Sequence, residues 1–205
     1  MKNSRLSELA GLISEWPGIV AGPPQELVED SLVLLDHIGD AHRLVDVGSG
    51  GGLPGLPLKI ARPDLALTLI ESDRTKAAFL VHACARLELP DVEVVARRVE
   101  EVGQDARYRE TFDVAVARAL AAMPALVELC LPLVRVGGRL LAQKTEKEDL
   151  TAASRAIAIL GGSLEAIAPA PSAARGLGTV VIVMKVRPTP PKYPRRPGVP
   201  TRKPL

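Results

Sequence analysis

The chain is poor in cysteine, and that closes off two classes of protein. Cys84 and Cys130 fall in separate helix-like segments, each without a second cysteine nearby. Neither a disulfide framework nor a cysteine-based metal site fits that spacing, so both are read as buried reduced thiols and no metal is expected. Long apolar runs are missing too. Hydrophobic residues make up 47% of the sequence, yet no uninterrupted stretch approaches the ~20 residues of a membrane span. Residues 1–9 lack the apolar centre of a secretory signal. These absences point to a cytoplasmic protein with no membrane partner, expected to be a monomer. Acids are missing from the end of the chain. All 24 lie within residues 1–165 beside 18 of the 26 Lys and Arg, a balance of −6, which leaves +8 on residues 166–205. An acidic body with a basic end suits contact with a polyanion, nucleic acid being the commonest in the cytoplasm. A solvated tail that aids solubility would carry the same charge.

What is present centres on a glycine loop. The length of 205 residues suits one domain with a single full core. Leu44, Val45 and Val47 form a short β-prone run, after which Gly48, Gly50, Gly51 and Gly52 allow positive φ and close approach to bare backbone. Pro54 fits the first turn of a following helix, whose free amides and positive dipole end attract an anionic group. Gly50, Gly52 and Gly55 satisfy the G-x-G-x-x-G spacing of dinucleotide sites. Asp46, however, sits inside the strand's end, where a dehydrogenase would keep an apolar residue. Asp46, Gly48, Gly50 and Gly52 instead resemble the first motif of the class I methyltransferases that use S-adenosylmethionine. A plain tight turn is the alternative.

The rest of the chain alternates strands and helices. Leu6, Leu9, Leu12 and Ile13 show helical spacing that stops near Pro17 and Gly18, and residues 27–35 read as a second amphipathic helix. A strand over 65–70 ends at Glu71, 25 residues after Asp46, where an acid can accept from both ribose hydroxyls. Capping of the next helix is the other use of an acid there, but Ser72 and Asp73 are better placed for it. A helix over 75–87 carries His82, read as a partly buried or solvent-edge side chain. A third strand spans 92–96, with Arg97 to Glu101 at its ligand-facing end, and a fourth spans 112–118, ending in Arg118. A helix over 119–133, a turn at Gly137 and Gly138, a strand over 139–143 and a helix over 146–160 follow. Runs at 163–168 and 179–185 should pair as an antiparallel hairpin. The expected fold is α/β: a Rossmann-like, seven-stranded, mostly parallel methyltransferase sheet with a C-terminal antiparallel hairpin. The domain reading is a helical segment over 1–40, the methyltransferase domain over 41–186 and a basic, proline-rich tail over 187–205. That tail holds seven prolines and no acid. It should lie extended on the surface, with Lys192, Arg195, Arg196, Arg202 and Lys203 open to RNA phosphates and Tyr193 free to stack on a base.

The sequence resembles the glucose-inhibited division protein B family, bacterial methyltransferases of small-subunit ribosomal RNA. The resemblance rests on residues 45–57, on Glu71 and Ser72 followed by Lys76 and Ala78 to Leu80, on Arg98 to Glu101, on Arg118 with Ala119, and on the basic ending. It implies S-adenosylmethionine-dependent methylation of a guanine N7 in that RNA, with the 16S RNA or the 30S subunit as partner. It implies cofactor contacts from Asp46, Gly48, Ser49, Gly50, Leu53, Glu71, Ser72, Val99, Glu100 and Arg118. Arg98 and Arg118 match arginines at the family's active-site rim and carry the catalytic expectation, as donors to guanine O6 or to a phosphate. An ordinary ion pair with Glu100 or Asp113 is the alternative for both. Two departures stand out. The family's histidine just before Asp30 and Ser31 is absent, with Leu27 near its place, and Gln143, Lys144 and Thr145 stand where the family tends to have Lys-Gly. Methylation of another RNA or a small molecule is the second reading, and a dinucleotide-binding oxidoreductase the third.

Overall fold

The computed structural model describes residues 2–145 and 150–205. Helix α1 (Lys2–Ser14) and helix α2 (Pro24–Ser31) lead through a 3-10 turn, Leu32–Leu34, into the single turn α3 (Leu35–Ile38). There follow β1 (Arg43–Val47), α4 (Gly55–Ala61), β2 (Ala66–Ile70), α5 (Arg74–Arg86), β3 (Val92–Val95), α6 (Val99–Val102) and β4 (Phe112–Arg118). Helix α7 (Met123–Cys130), β5 (Val134–Lys144), α8 (Ala153–Ile159), β6 (Gly162–Pro169), β7 (Thr179–Lys185) and α9 (Val199–Arg202) complete the chain. The seven strands form one sheet in the order β3-β2-β1-β4-β5-β7-β6. Its first five members are parallel, and β7 lies antiparallel to both β5 and β6.

Both faces of the sheet are covered, which is why its central strands are mostly apolar on both faces. Leu44, Leu67 and Val114 belong to one buried cluster and their sequence neighbours Val45 and Ala115 to the other, the period-2 alternation of a pleated strand between two layers. Helices α1 and α2 add Leu9, Ile13 and Val28 to the first cluster. Trp16 closes that side edge-on to Phe79, with ring centroids 5.4 Å apart. Helix α5 begins where Asp73 accepts from the amides of Thr75 and Lys76, a side-chain cap that leaves Glu71 free for other contacts.

Three expectations about this half of the chain are corrected. The helix after β4 starts at Met123, not Ala119, because Ala119 adopts a left-handed φ of +52° that interrupts helix formation. Strand β5 begins at Val134 and runs through Gly137 and Gly138, which serve as an irregularity within the strand and not as its entry turn. A Cβ on Gly138 would lie 2.5 Å from the carbonyl oxygen of Asp113, so only glycine permits this pairing. Of the helix expected over 146–160, residues 146–149 lie outside the described residues and the remainder is α8, Ala153–Ile159.

The C-terminal segment is also corrected: it packs on the domain and includes the short helix α9. Tyr193 is 7% exposed and joins the second cluster. Arg195 donates 2.6 Å and 2.8 Å bonds to Glu128, whose side chain is wholly buried. Arg109 reaches the carbonyls of Thr189, Pro190 and Tyr193, and Gln104 those of Pro191 and Pro194. Prolines cannot donate to a ladder, so their carbonyls are satisfied by side chains that reach out from the domain. Lys185, fully buried, donates to Leu131 O, Val134 O and Thr189 Oγ1 and pairs with Glu110 at 3.0 Å; burial pulls its pKa below the usual lysine value.

Arg195→Ala leaves a buried carboxylate unpaired and should cost about 3 kcal/mol in urea unfolding, the lower end for a broken buried pair because Arg195 itself is partly exposed. Exposed Lys192→Ala should stay within about 0.5 kcal/mol. Equal, small effects would show that Glu128 is content without its partner.

Candidate active site

The loop after β1 is held from beneath by an acid that never meets solvent. Asp46 is 0% exposed, and its Oδ2 accepts from Gly55 N at 2.8 Å, tying the end of β1 to the start of α4. A Cβ on Gly55 would stand 2.7 Å from that oxygen, so glycine is what lets the acid fit. The other oxygen, Oδ1, is buried without a hydrogen-bond partner among the described residues. The amides of Gly48 and Ser49 both donate to Ile70 O, at 2.9 and 3.0 Å, which ties the loop to the end of β2. Gly48 has φ +72°, and a Cβ there would meet Leu120 at 2.6 Å. A tight, backbone-only rim results.

Above this loop, at the carboxyl ends of β1 to β5, lies a cavity of about 960 Å³. It sits where the strand order reverses between β1 and β4, the position at which open α/β sheets take ligands. Gly48, Ser49, Gly50, Leu53, Glu71, Ser72, Val99, Glu100 and Arg118 all line it, as does Arg98. Asp46 does not; it acts on the cavity only through the loop it supports. Glu71 accepts from Gly50 N at 2.9 Å and from Asp73 N at 2.8 Å. Each oxygen keeps one further acceptor position, about four in all for a carboxylate.

The two arginines differ. Arg98 is exposed at the cavity edge, and its guanidinium makes no ion pair among the described residues. Arg118 donates to Leu27 O at 3.2 Å and lies 3.5 Å from Asp30. Neither pairs with Glu100 or Asp113, which take the Gly198 amide and Arg135 respectively. Of the tail residues, Lys192, Arg196, Arg202 and Lys203 are exposed, whereas Tyr193 and Arg195 turn inward. Tyr193 is therefore not presented for base stacking, nor Arg195 as a free phosphate contact.

A group missed from sequence closes the far wall. Asp30, 1% exposed, accepts from Arg175 Nε at 2.8 Å and from the Ser172 hydroxyl. Arg175 also donates to Lys144 O at 2.7 Å, and Gln143 Nε2 to Asp30 O at 2.8 Å. The partners lie 113 to 145 residues from Asp30 along the chain, and no local periodicity signals such a contact. Only the acid inside an otherwise amphipathic helical pattern hinted at it.

A family model described as rRNA small subunit methyltransferase G (GidB) matches residues 23–175. A relative from Roseiflexus castenholzii, named ribosomal RNA small subunit methyltransferase G, is 49% identical over 86% of this chain and 76% of its own length. The chain belongs to this family. A relative of the same name from Moorella thermoacetica is 46% identical over 87% of this chain and 76% of its own. Among solved structures, the O-methyltransferase TomG from Streptomyces achromogenes shares the fold at 19% identity, with a TM-score of 0.62 over 89% of this chain and 90% of that one. The seven-stranded, mostly parallel sheet with its antiparallel C-terminal strands is thus that of class I methyltransferases, as the sequence led us to expect. The GidB match also spans the Asp30 and Arg175 wall.

Asp46 makes the site pH-sensitive in a predictable direction. Burial, opposed by the Gly55 amide and the Arg118 charge, pushes its pKa from 3.8 up to about 7. The folded protein retains a proton that the unfolded chain releases. The stability that this proton supplies is complete below pH 3.8 and is lost as pH rises through about 7. Asp46→Asn removes the titration. Urea unfolding at about pH 5 and about pH 8 should give a difference between wild type and variant that changes by roughly 2–3 kcal/mol at most. A constant difference would mean that Asp46 titrates normally.

Proposed function

We propose that this chain transfers a methyl group from S-adenosylmethionine to N7 of a guanine in small-subunit ribosomal RNA. The observation that carries the reading is the row of cavity features at the strand ends, taken with family membership. A bare glycine rim can approach the cofactor's amino-acid end, and Glu71, with open acceptor positions, suits ribose hydroxyls. The residues present fit the cofactor. Bound there, S-adenosylmethionine supplies an electrophilic methyl on a sulfonium.

The protein's own part is placement. Among the described residues that line the cavity there is no histidine or cysteine. The carboxylates have other roles: Asp30 is ion-paired with Arg175, while the open acceptor positions of Glu71 and Glu100 lie along the row proposed for the cofactor itself. A nucleophile that must lose a proton would find no group set aside as its base. Guanine N7 carries a lone pair and no proton, so alignment of the reacting atoms suffices, an effect that supplies several kcal/mol. Arg98, uncommitted at the rim, suits guanine O6 or a backbone phosphate. Arg118 combines a rim position with an anchor on Leu27, holding the N-terminal segment over the site.

The test is chemical. Small-subunit RNA treated with protein and cofactor, then with borohydride and aniline, should be cleaved at one guanine, since only N7-methylated guanine becomes labile. Methyl incorporation without cleavage would move the reaction to another atom. Glu71→Gln keeps one acceptor oxygen but loses the charge, and should weaken S-adenosylmethionine binding by about 1–3 kcal/mol in calorimetry. Arg98→Ala should lower turnover while leaving that affinity within about twofold, the pattern of a contact made to the substrate alone. Parallel losses of both constants would put Arg98 on the cofactor.

A further inference from the structure

The end of the chain borders the cavity. Gly198 and Thr201 line it beside Val99, Glu100 and Leu129. The order β3-β2-β1 sets the strand ends in a row: the glycine loop after β1, Glu71 after β2, Val99 and Glu100 beyond β3. A nucleoside cofactor laid along that row, with its amino-acid end on the loop and its ribose at Glu71, brings its base to Val99, Glu100 and the turn at 198–201.

At that turn Gly198 N donates to Glu100 Oε1 at 2.7 Å, and Glu100 is 7% exposed. Gly198 has φ +76°, a conformation that L side chains rarely adopt. Thr201 Oγ1 donates back to Gly198 O at 3.2 Å and closes the turn. The turn is held from behind by the domain, through Arg195 on Glu128 and Gln104 on the carbonyls of Pro191 and Pro194. Glu100 is thereby fixed through one oxygen while the other stays available to a donor, since a carboxylate can accept at both.

We propose that the turn at 198–201 is the wall of the cofactor pocket at its base end and that Gly198 positions Glu100 there. The C-terminal segment then governs cofactor affinity, a role separate from its exposed charges. The inference rests on the S-adenosylmethionine reading above.

Amide exchange by mass spectrometry on the full chain, with and without S-adenosylmethionine, reads the turn directly. Binding should slow exchange across 196–203 by about tenfold, because a ligand suppresses local opening of what it touches. A chain ending at residue 197 keeps Tyr193 and the Arg195–Glu128 pair. It should unfold at nearly the same denaturant concentration yet bind the cofactor about tenfold more weakly, the effect of freeing a charged hydrogen-bond partner. Exchange in 196–203 that ignores the cofactor overturns the proposal, as does a folded truncated chain that binds as tightly as the full one. Should the truncated chain fail to fold, the exchange result on the full chain decides. Absence of binding heat from the full chain would instead sink the cofactor reading, and this inference with it.

Discussion

A carboxylate sealed from water underlies the site. Asp46 gives one oxygen to Gly55 and has no partner for the other among the described residues, so the end of β1 and the start of α4 are joined by one charge-capable contact. Desolvating an acid this way is unfavourable, and the raised pKa is its signature. In return the loop needs no side chains of its own. Its amides turn to Ile70 and its glycines stay bare toward the cavity. An apolar residue at 46 would leave Gly55 N unsatisfied and let the loop shift over the ligand end of the sheet.

Around that fixed rim, three segments remote in sequence are pinned by acids, of which Asp30 and Glu128 are buried and Glu110 partly so. Asp30 gathers Arg118 and Arg175, so the N-terminal helices and the loop between β6 and β7 meet at one wall. Glu128 receives Arg195, and Glu110 receives Lys185 and the Thr189 amide, which draw the C-terminal segment onto the opposite side. Buried pairs of this kind add little net stability, but breaking one is costly. Their consequence is placement: the Asp30 pairs bring cavity-lining stretches to the strand ends, and the Glu128 and Glu110 pairs anchor the segment that runs on to Gly198 and Thr201.

Sequence periodicity revealed the elements that such local rules control. Residues 112–118 read as a short apolar strand that ends in a charge, and β4 has those limits; Glu71 was found from its distance past Asp46. What stayed hidden was decided by long-range contacts or by single φ values. Ala119 in a left-handed conformation delays α7 and frees 119–122 to line the cavity, and nothing in an alanine announces that. The Gly137–Gly138 pair reads as a turn because most such pairs are, yet here it lets β5 cross close to β4. The proline-rich end looked unable to pack because its own backbone lacks donors. The missing donors come from Arg109 and Gln104, whose role cannot be read from their neighbours in the chain.

The packed tail changes how its charge acts. Arg195 is consumed by Glu128, while Lys192, Arg196, Arg202 and Lys203 remain exposed around a segment that borders the cavity. Fixed charges next to a binding site lose less entropy on contact than the same charges on a free arm, because their backbone is already ordered. Under the proposed function, these charges would favour approach of the RNA with its backbone along the C-terminal rim. The base to be modified would then be directed toward the cavity mouth, where Arg98 makes no ion pair among the described residues.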